Sequence, residues 1–99
     1  MTNYVLTFRA PKGRVPTAED EARWPAWLSG IGGRITDPGN RIGQVRDAGS
    51  AERTDVLAGY IVITADSLDD AATVAESCPM LMQGGSVEVG EVIPAGPAS

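Results

Sequence analysis

The chain has 99 residues, a length that supports one hydrophobic core and is too short for two domains of ordinary size. Apolar residues make up 42% of the sequence and charged residues 21%, as in soluble globular proteins, and no apolar run approaches the roughly 20 residues that cross a bilayer. The net charge is −5 and all eight basic residues lie at or before Arg53, which argues against nucleic acid as a partner because phosphate contacts require a basic face.

The N-terminal third of the chain predicts a strand followed by a helix. β-Branched and aromatic residues at 3–8 (NYVLTF) favour a strand, which ends in a loop with two prolines and a glycine. The helix begins with Thr17 as a candidate cap and ends at the glycine pair 32–33. Its apolar stripe has helical spacing and comprises Trp24, Trp27, Leu28 and Ile31. Pro25 predicts a kink in this helix, or a fresh start with the proline in its first turn.

The middle of the chain carries a weaker signal and then a strong one. DPGN at 37–40 predicts a turn, residues 42–46 predict an edge strand, and residues 47–55 predict an exposed loop. By contrast, LAGYIVIT at 57–64 combines β-branched and aromatic residues over a full strand length. We therefore expect 57–64 to be a well-formed strand of the sheet.

A second helix and a last strand complete the predicted domain. Ser67 is the predicted N-cap of the helix, acids occupy its first turn, and Pro79 ends it. Residues 86–93 (SVEVGEVI) predict the last strand. The expected organisation is a single domain over residues 1–94 and a flexible tail at 95–99.

The element order β-α-β-β-α-β predicts an α+β domain of the ferredoxin-like type, with two helices on one face of a four-stranded antiparallel sheet. Alternation assigns a set of apolar side chains to the helix-facing side: Leu57, Ile61, Ile63, Val87, Val89 and Ile93. The opposite side is mixed: Ala58, Tyr60, Val62, Thr64, Ser86, Glu88, Gly90 and Val92. Because this mixture is too apolar for open water, we expect a homodimer through the sheet faces that encloses a partly polar cleft.

Four segments resemble the YCII-related proteins, also called the YciI-like or DGPF family, of the dimeric α+β barrel superfamily. They are WPAW…GIG at 24–32, DPGN at 37–40, GYIVITADSLDDAATVAESCP at 59–79 and GGSVEVGEV at 84–92. The resemblance implies a ferredoxin-like monomer whose sheet lies face to face with that of a partner subunit. It therefore points to the same assembly as the strand faces do.

The same resemblance implies several functions. Some relatives use a histidine with an aspartate as an acid/base pair, a few carry out dehalogenation-type or lactone chemistry, and others accompany alternative sigma factors in bacteria. This chain has no histidine and lacks the DGPF tetrapeptide. Asp37 is the implied counterpart of the aspartate that follows the first helix in the active relatives. The resemblance thus implies half of a catalytic pair, and alternatively a regulatory role.

The segment ESCPMLMQGG raises the question of a soft-metal or thiol site at Cys78, Met80 and Met82. We favour packing, because methionines commonly fill gaps where a helix meets a sheet. A helix C-terminus disfavours a thiolate, and the chain has no histidine to accept the thiol proton. The acids at the start of the second helix are explained by capping. We predict no metal and no cofactor.

Trp24, Arg41 and Glu88 are candidate ligand-binding residues. Trp24 is either part of the core or an indole that faces the cleft. Arg41 belongs to an arginine-rich segment that fits a carboxylate ligand, the acidic half of a partner subunit, or simple solvation. Glu88 lies on the mixed sheet face, where it either pairs with an arginine or contributes a carboxylate to the cleft.

Asp37 and Tyr60 are candidate catalytic residues. A carboxylate in a half-buried cleft is suited to act as a general base, and Tyr60 to donate a hydrogen bond to a developing oxyanion. In the structural alternative, Asp37 caps its own turn and Tyr60 packs between two sheets. A shared cleft would favour an enzyme, and a capped turn would favour a binding module.

Together these features predict a small homodimer that binds a small organic ligand or acts as an accessory or regulatory module. The alternative is a histidine-free lyase, isomerase or dehalogenase-type enzyme that uses Asp37 and Tyr60. The N-terminal segment has no signal-peptide pattern and the single cysteine forms no internal disulfide, so we expect a cytoplasmic location without membrane partners.

Overall fold

Four antiparallel strands form one sheet in the computed structural model, which describes residues 1–50 and 52–95. The elements in chain order are β1 (Thr2–Pro11), α1 (Ala18–Gly30), a 3-10 turn (Gly32–Arg34), β2 (Ile35–Arg41), β3 (Asp55–Ala65), α2 (Leu68–Ala75), α3 (Pro79–Met82) and β4 (Ser86–Glu91). The strand order is β2-β3-β1-β4, so the two central strands are β1 and β3. The predicted α+β, ferredoxin-like fold is confirmed.

One face of the sheet carries the core, and both main helices pack against it. The fully buried members of the core are Tyr4, Leu6, Phe8, Ile61, Ile63, Ala65, Ala71, Ala75, Cys78 and Met80. The small Ala71 and Ala75 belong to α2, whereas the apolar residues of α1 remain half-buried. The small alanine side chains allow α2 to lie close to the sheet, while the large tryptophan side chains hold α1 further from the sheet.

The helix α1 is anchored by polar contacts at both ends. At its start, the Thr17 hydroxyl accepts from the Asp20 amide at 3.1 Å and the Asp20 carboxylate accepts from the Thr17 amide at 2.9 Å, a complete capping box. The hydrogen bond from the Thr17 amide, together with Arg14 at 2.8 Å, holds the pKa of the buried Asp20 below its usual value. Nearer its end, Trp27 Nε1 donates to Ser77 Oγ at 2.9 Å.

The edge strand β2 lies earlier in the chain than predicted. It runs over Ile35–Arg41 rather than 42–46, and the DPGN sequence is inside it. The Asp37 carboxylate accepts from the Gly39 amide at 2.8 Å, and the pairing with β3 shifts register on both sides of Asp37. The turn signal thus produces an irregularity within an edge strand, where Pro38 removes no essential ladder hydrogen bond.

Three residues do not lie on the side of the sheet that was predicted for them. Phe8 pairs with Gly59 but Arg9 pairs with Leu57, so the intervening Ala58 is an extra residue in β3. Because of this bulge Ala58, rather than Leu57, packs against the core. Ile93 was also expected on the core side, but β4 ends at Glu91 and Ile93 is 77% exposed.

The prolines act differently from the sequence expectation. Pro25 does not restart its helix, because α1 runs without interruption from Ala18 to Gly30, and the predicted kink stays a prediction. The helix α2 ends at Ala75, before Pro79. Pro79 begins the separate short helix α3, at a position where the missing N–H of proline is favourable.

The predicted tail includes residues 96–99, which lie outside the described part of the chain. No helix within 1–50 or 52–95 has the length and apolarity needed to cross a membrane.

Replacing Gly39 by alanine is expected to cost more than about 3 kcal/mol of unfolding free energy. Gly39 has a φ of 64°, and a Cβ there would overlap the carbonyl oxygen of Tyr60 on the neighbouring strand. The control is Gly13→Ala, which has a φ of 77° but an open surrounding and should cost about 1 kcal/mol. Urea unfolding measures both, and equal losses would contradict the close approach at Gly39.

Candidate functional site

A cavity of about 490 Å³ lies between α1 and the core-bearing face of the sheet. Its walls come from β1, α1, β2, β3 and the segment around α3. The lining residues are Phe8, Ala10, Pro16, Glu21, Trp24, Leu28, Pro38, Gly39, Asn40, Arg41, Ala58, Gly59, Tyr60, Ile61, Met80 and Gln83. The cavity therefore lies within a single chain, on the helix side of the sheet, and not on the opposite face where a cleft was predicted.

Three aromatic rings, those of Phe8, Trp24 and Trp27, pack together beneath α1. Phe8 and Trp24 meet edge to face with centroids 4.9 Å apart, and Trp24 meets Trp27 at 5.7 Å. Of the two tryptophans, Trp24 lines the cavity, and Trp27 does not. The rings support one another in the geometry that aromatic pairs prefer, so they fix the position of α1 above the sheet. This arrangement keeps the space below the helix open.

Two charged and exposed side chains line the cavity, and we refer to their position as its mouth. Glu21 projects from the first turn of α1 and Arg41 from the end of β2, and their closest charged atoms, Arg41 Nη2 and Glu21 Oε1, are 3.7 Å apart. The side chains are 89% exposed for Arg41 and 58% exposed for Glu21. An ion pair this long and this exposed contributes little to stability. Both side chains are free to reorient toward a ligand.

Gln83 is the buried polar residue of the cavity wall. It is 6% exposed, and its Nε2 donates a long hydrogen bond of 3.5 Å to the Asp20 carbonyl oxygen. Among the described residues its Oε1 accepts no hydrogen bond, and this atom keeps some exposure. An amide oxygen with an open acceptor site in a cavity wall can be satisfied by a donor on a ligand.

The predicted ligand-binding residues separate between the two faces of the sheet. Trp24 and Arg41 both line the cavity. Glu88 is paired with Thr7 across β4 and β1, on the face away from the helices, and is exposed. Hence Glu88 cannot meet a ligand held between α1 and the sheet of the same chain.

The predicted catalytic residues make local contacts. Asp37 uses one carboxylate oxygen on the amide of Gly39 in its own turn and does not line the cavity. Tyr60 is among the lining residues, but it lies between the buried Gly59 and Ile61, so its side chain belongs to the uncovered face of the sheet. Its hydroxyl accepts a hydrogen bond from Asn40 Nδ2 at 3.1 Å. A joint catalytic role for Asp37 and Tyr60 stays a prediction, and these hydrogen bonds fit the structural alternative.

The sequence did not single out Glu21, Gln83 or Phe8 as site residues. Glu21 had the signal of an ordinary acid in a first helical turn, and Phe8 that of an ordinary strand residue. Gln83 had one usable signal, because a polar residue directly after PMLM interrupts an apolar segment. Its position relative to α1 depends on tertiary packing, which the sequence pattern does not reveal.

Cys78, Met80 and Met82 do not converge. Cys78 is 1% exposed at the start of α3 and Met80 lines the cavity, whereas Met82 is 65% exposed. Burial raises the pKa of the Cys78 thiol from 9.0 to about 11, so it is neutral at physiological pH. The packing interpretation accounts for these positions.

Comparison with known proteins gives a family and a structural likeness. The family model described as the YCII-related domain matches residues 12–95, which confirms the resemblance seen in the sequence. The structure is similar to that of 5-chloro-2-hydroxyhydroquinone dehydrochlorinase (TftG) from Burkholderia phenoliruptrix AC1100, in complex with 2,5-dihydroxybenzoquinone. The TM-score is 0.64 at 17% sequence identity, with 94% of this chain and 95% of that chain covered. No curated protein matches the sequence.

Cys78 should react very slowly with a disulfide reagent at about pH 8, at least about 100-fold more slowly than in the urea-unfolded chain. Both its burial and its raised pKa reduce the available thiolate. The rate of thiolate release followed by absorbance is the measurement. Labelling of the folded protein at the rate of a free thiol would show that Cys78 is an accessible, reactive group.

Proposed function

The chain belongs to the YCII-related domain family, and on that premise we propose that it binds a small, planar ring compound in the cavity between α1 and the sheet. The observation that carries this proposal is the cavity itself. Its volume of about 490 Å³ lies in the range of ordinary small-molecule sites, and its wall is largely apolar with few polar groups. Such a composition suits an organic molecule better than an ion or a sugar.

The aromatic wall favours a flat ligand. Trp24 is half-buried and already has edge contacts with Phe8 and Trp27 at interplanar angles of 76° and 86°. Rings with fixed orientations offer an incoming ring offset or edge contacts without further ordering cost. The nearby Gly59 places bare backbone in the opposite wall, which leaves room for a flat molecule.

The structural likeness supports the choice of a ring compound as the first ligand to test. The similar protein is a dehydrochlorinase of a chlorinated hydroxyhydroquinone, and its structure holds 2,5-dihydroxybenzoquinone. At 17% identity this likeness establishes the fold alone, so the ligand class rests on the cavity of the present chain. We use the quinone as a probe of that cavity.

Binding is favoured over catalysis by the state of the candidate catalytic groups. The Asp37 carboxylate is engaged by the Gly39 amide, and the Tyr60 hydroxyl is engaged by Asn40. The chain also has no histidine to serve as an acid/base partner. We therefore propose a binding or accessory protein of the cytoplasm, with the histidine-free enzyme as the weaker alternative.

We also propose that the protein is a homodimer through the sheet face that the helices leave uncovered. The central part of this face combines Val5, Val62 and Thr7 with Tyr60 and Glu88. Val5 and Val62 are directly paired, so their side chains form an apolar centre inside a more polar surround. A second copy would bury this centre by pairing sheet on sheet.

Ligand binding is tested with 2,5-dihydroxybenzoquinone, by calorimetry and by chemical-shift mapping. Trp24→Phe should weaken binding about fivefold, since the smaller ring loses contact area in the cavity. Trp27→Phe is the matched control, because this indole belongs to the same aromatic cluster but does not line the cavity. It should leave the affinity within about twofold of the original.

The mapping separates the proposed site from the predicted cleft on the other face. The expected perturbations concentrate on Trp24, Gly59 and Gln83. Perturbations confined to Val5, Val62 and Glu88, or no binding at millimolar probe, would contradict the proposed site.

Dimerisation is tested by sedimentation velocity at micromolar protein. Val62→Asp should weaken the dimer at least about tenfold, because it places a charge at the centre of the buried face. Ala22→Asp, on the exposed side of α1, introduces the same charge and should leave the dimer intact. An original protein that sediments as a monomer would refute the assembly.

A further inference from the structure

The arrangement of polar groups around the cavity defines the chemistry of its ligand, an inference that rests on the proposed function. The cavity wall within the described residues contains two charged side chains, Glu21 and Arg41, and both stand at the mouth. The deeper polar group is the neutral amide of Gln83. A ligand that pairs with a charge at the mouth and with the amide of Gln83 has a charged end and a neutral polar end.

Arg41 is the charged residue that gains most from a ligand. Glu21 is its single ion-pair partner among the described residues, at 3.7 Å, and its side chain is 89% exposed. Glu21 lies in the first turn of α1, where the helix dipole stabilises a carboxylate without help from Arg41. An anionic oxygen that enters the mouth can therefore replace Glu21 on the Arg41 guanidinium, whose planar fork matches a carboxylate.

The neighbouring charges leave Arg41 as the available cation at this entrance. Arg14 is paired with the buried Asp20 at 2.8 Å, and Asp20 is held in the capping box of α1. Arg14 is thus engaged, and the Asp20 charge is compensated. The net charge at the mouth of the cavity then depends on Glu21 and Arg41.

Gln83 favours a ligand that carries a hydroxyl group. Its Nε2 is engaged by the Asp20 carbonyl oxygen, while its Oε1 receives no hydrogen bond from the residues described. This open acceptor can take a hydrogen bond from a phenolic O–H, whereas a carboxylate would bring a second acceptor to it. The anionic end of the ligand therefore belongs at Arg41 and the hydroxyl end at Gln83.

We propose that the cavity binds a hydroxylated aromatic anion, with Arg41 holding the anionic oxygen and Gln83 accepting a hydrogen bond from the hydroxyl. Both are binding residues. Glu21 is a selectivity residue, because its charge competes for Arg41 and repels an anion at the mouth. The rings of Phe8 and Trp24 supply the apolar contact between the two polar ends.

Three probes of nearly equal shape separate these contributions. They are 4-hydroxybenzoate, its neutral analogue 4-hydroxybenzamide, and benzoate, which lacks the hydroxyl. Calorimetry should give the tightest binding for 4-hydroxybenzoate, about tenfold weaker binding for the amide and about fivefold weaker binding for benzoate.

Variants assign each difference to its residue. Arg41→Gln should remove the preference for 4-hydroxybenzoate over the amide, and Gln83→Met should remove the preference over benzoate. Glu21→Gln should strengthen 4-hydroxybenzoate binding about threefold. Arg23→Gln is the control for Arg41→Gln, because it also removes one positive charge. Arg23 lies on α1, pairs with Glu19 and does not line the cavity. This variant should leave the preferences unchanged.

The outcomes distinguish this inference from the proposed function. Equal affinity for the acid and the amide, or a preference that survives Arg41→Gln, would overturn the inference while leaving a ring-binding cavity. If the cation 4-hydroxybenzylamine binds more tightly than 4-hydroxybenzoate, Glu21 rather than Arg41 holds the charged end of the ligand, and the inference is overturned as well. If 2,5-dihydroxybenzoquinone also fails to bind, the proposed function falls with it.

Discussion

The fold depends on an unequal packing of two helices against one sheet face. Ala71 and Ala75 bring α2 close to the sheet, so the space beneath it is filled. Trp24 and Trp27 support α1 on the ring of Phe8, and the helix leaves a cavity of about 490 Å³ beside them. The difference in side-chain size between the helices thus accounts for the cavity. The polar anchors of α1, its capping box and the Trp27–Ser77 hydrogen bond, keep that helix in place.

Most of the fold was predictable because its signals are local. β-Branched strands, the caps at Thr17 and Ser67, and the order of elements lead to the observed sheet and helices. The errors occurred where pairing between strands overrides local preference. DPGN has the composition of a turn, yet pairing with β3 retains it in β2, and the extra residue Ala58 exchanges the sides expected for itself and Leu57.

The site was less predictable than the fold, since its residues come together only through tertiary structure. Trp24 and Arg41 were identified from their chemistry, and they line the same cavity. The cleft on the uncovered sheet face stays a prediction. The cavity beneath α1 was not predicted, because alternation along strands distinguishes two faces but carries no information about how far a helix stands from one of them. Glu21 and Gln83 enter the site through that spacing, so their sequence context resembled an ordinary helix turn and an ordinary loop.

A crystal structure of the protein grown with 2,5-dihydroxybenzoquinone tests the central claim most directly. The account predicts the ring of the bound molecule between α1 and β3, in contact with Trp24 and beside Gln83, with an oxygen near the Arg41 guanidinium. A molecule bound instead on the uncovered sheet face, against Val62 and Glu88, would contradict it. So would a crystal of the complex in which α1 has moved down onto the sheet and closed the cavity.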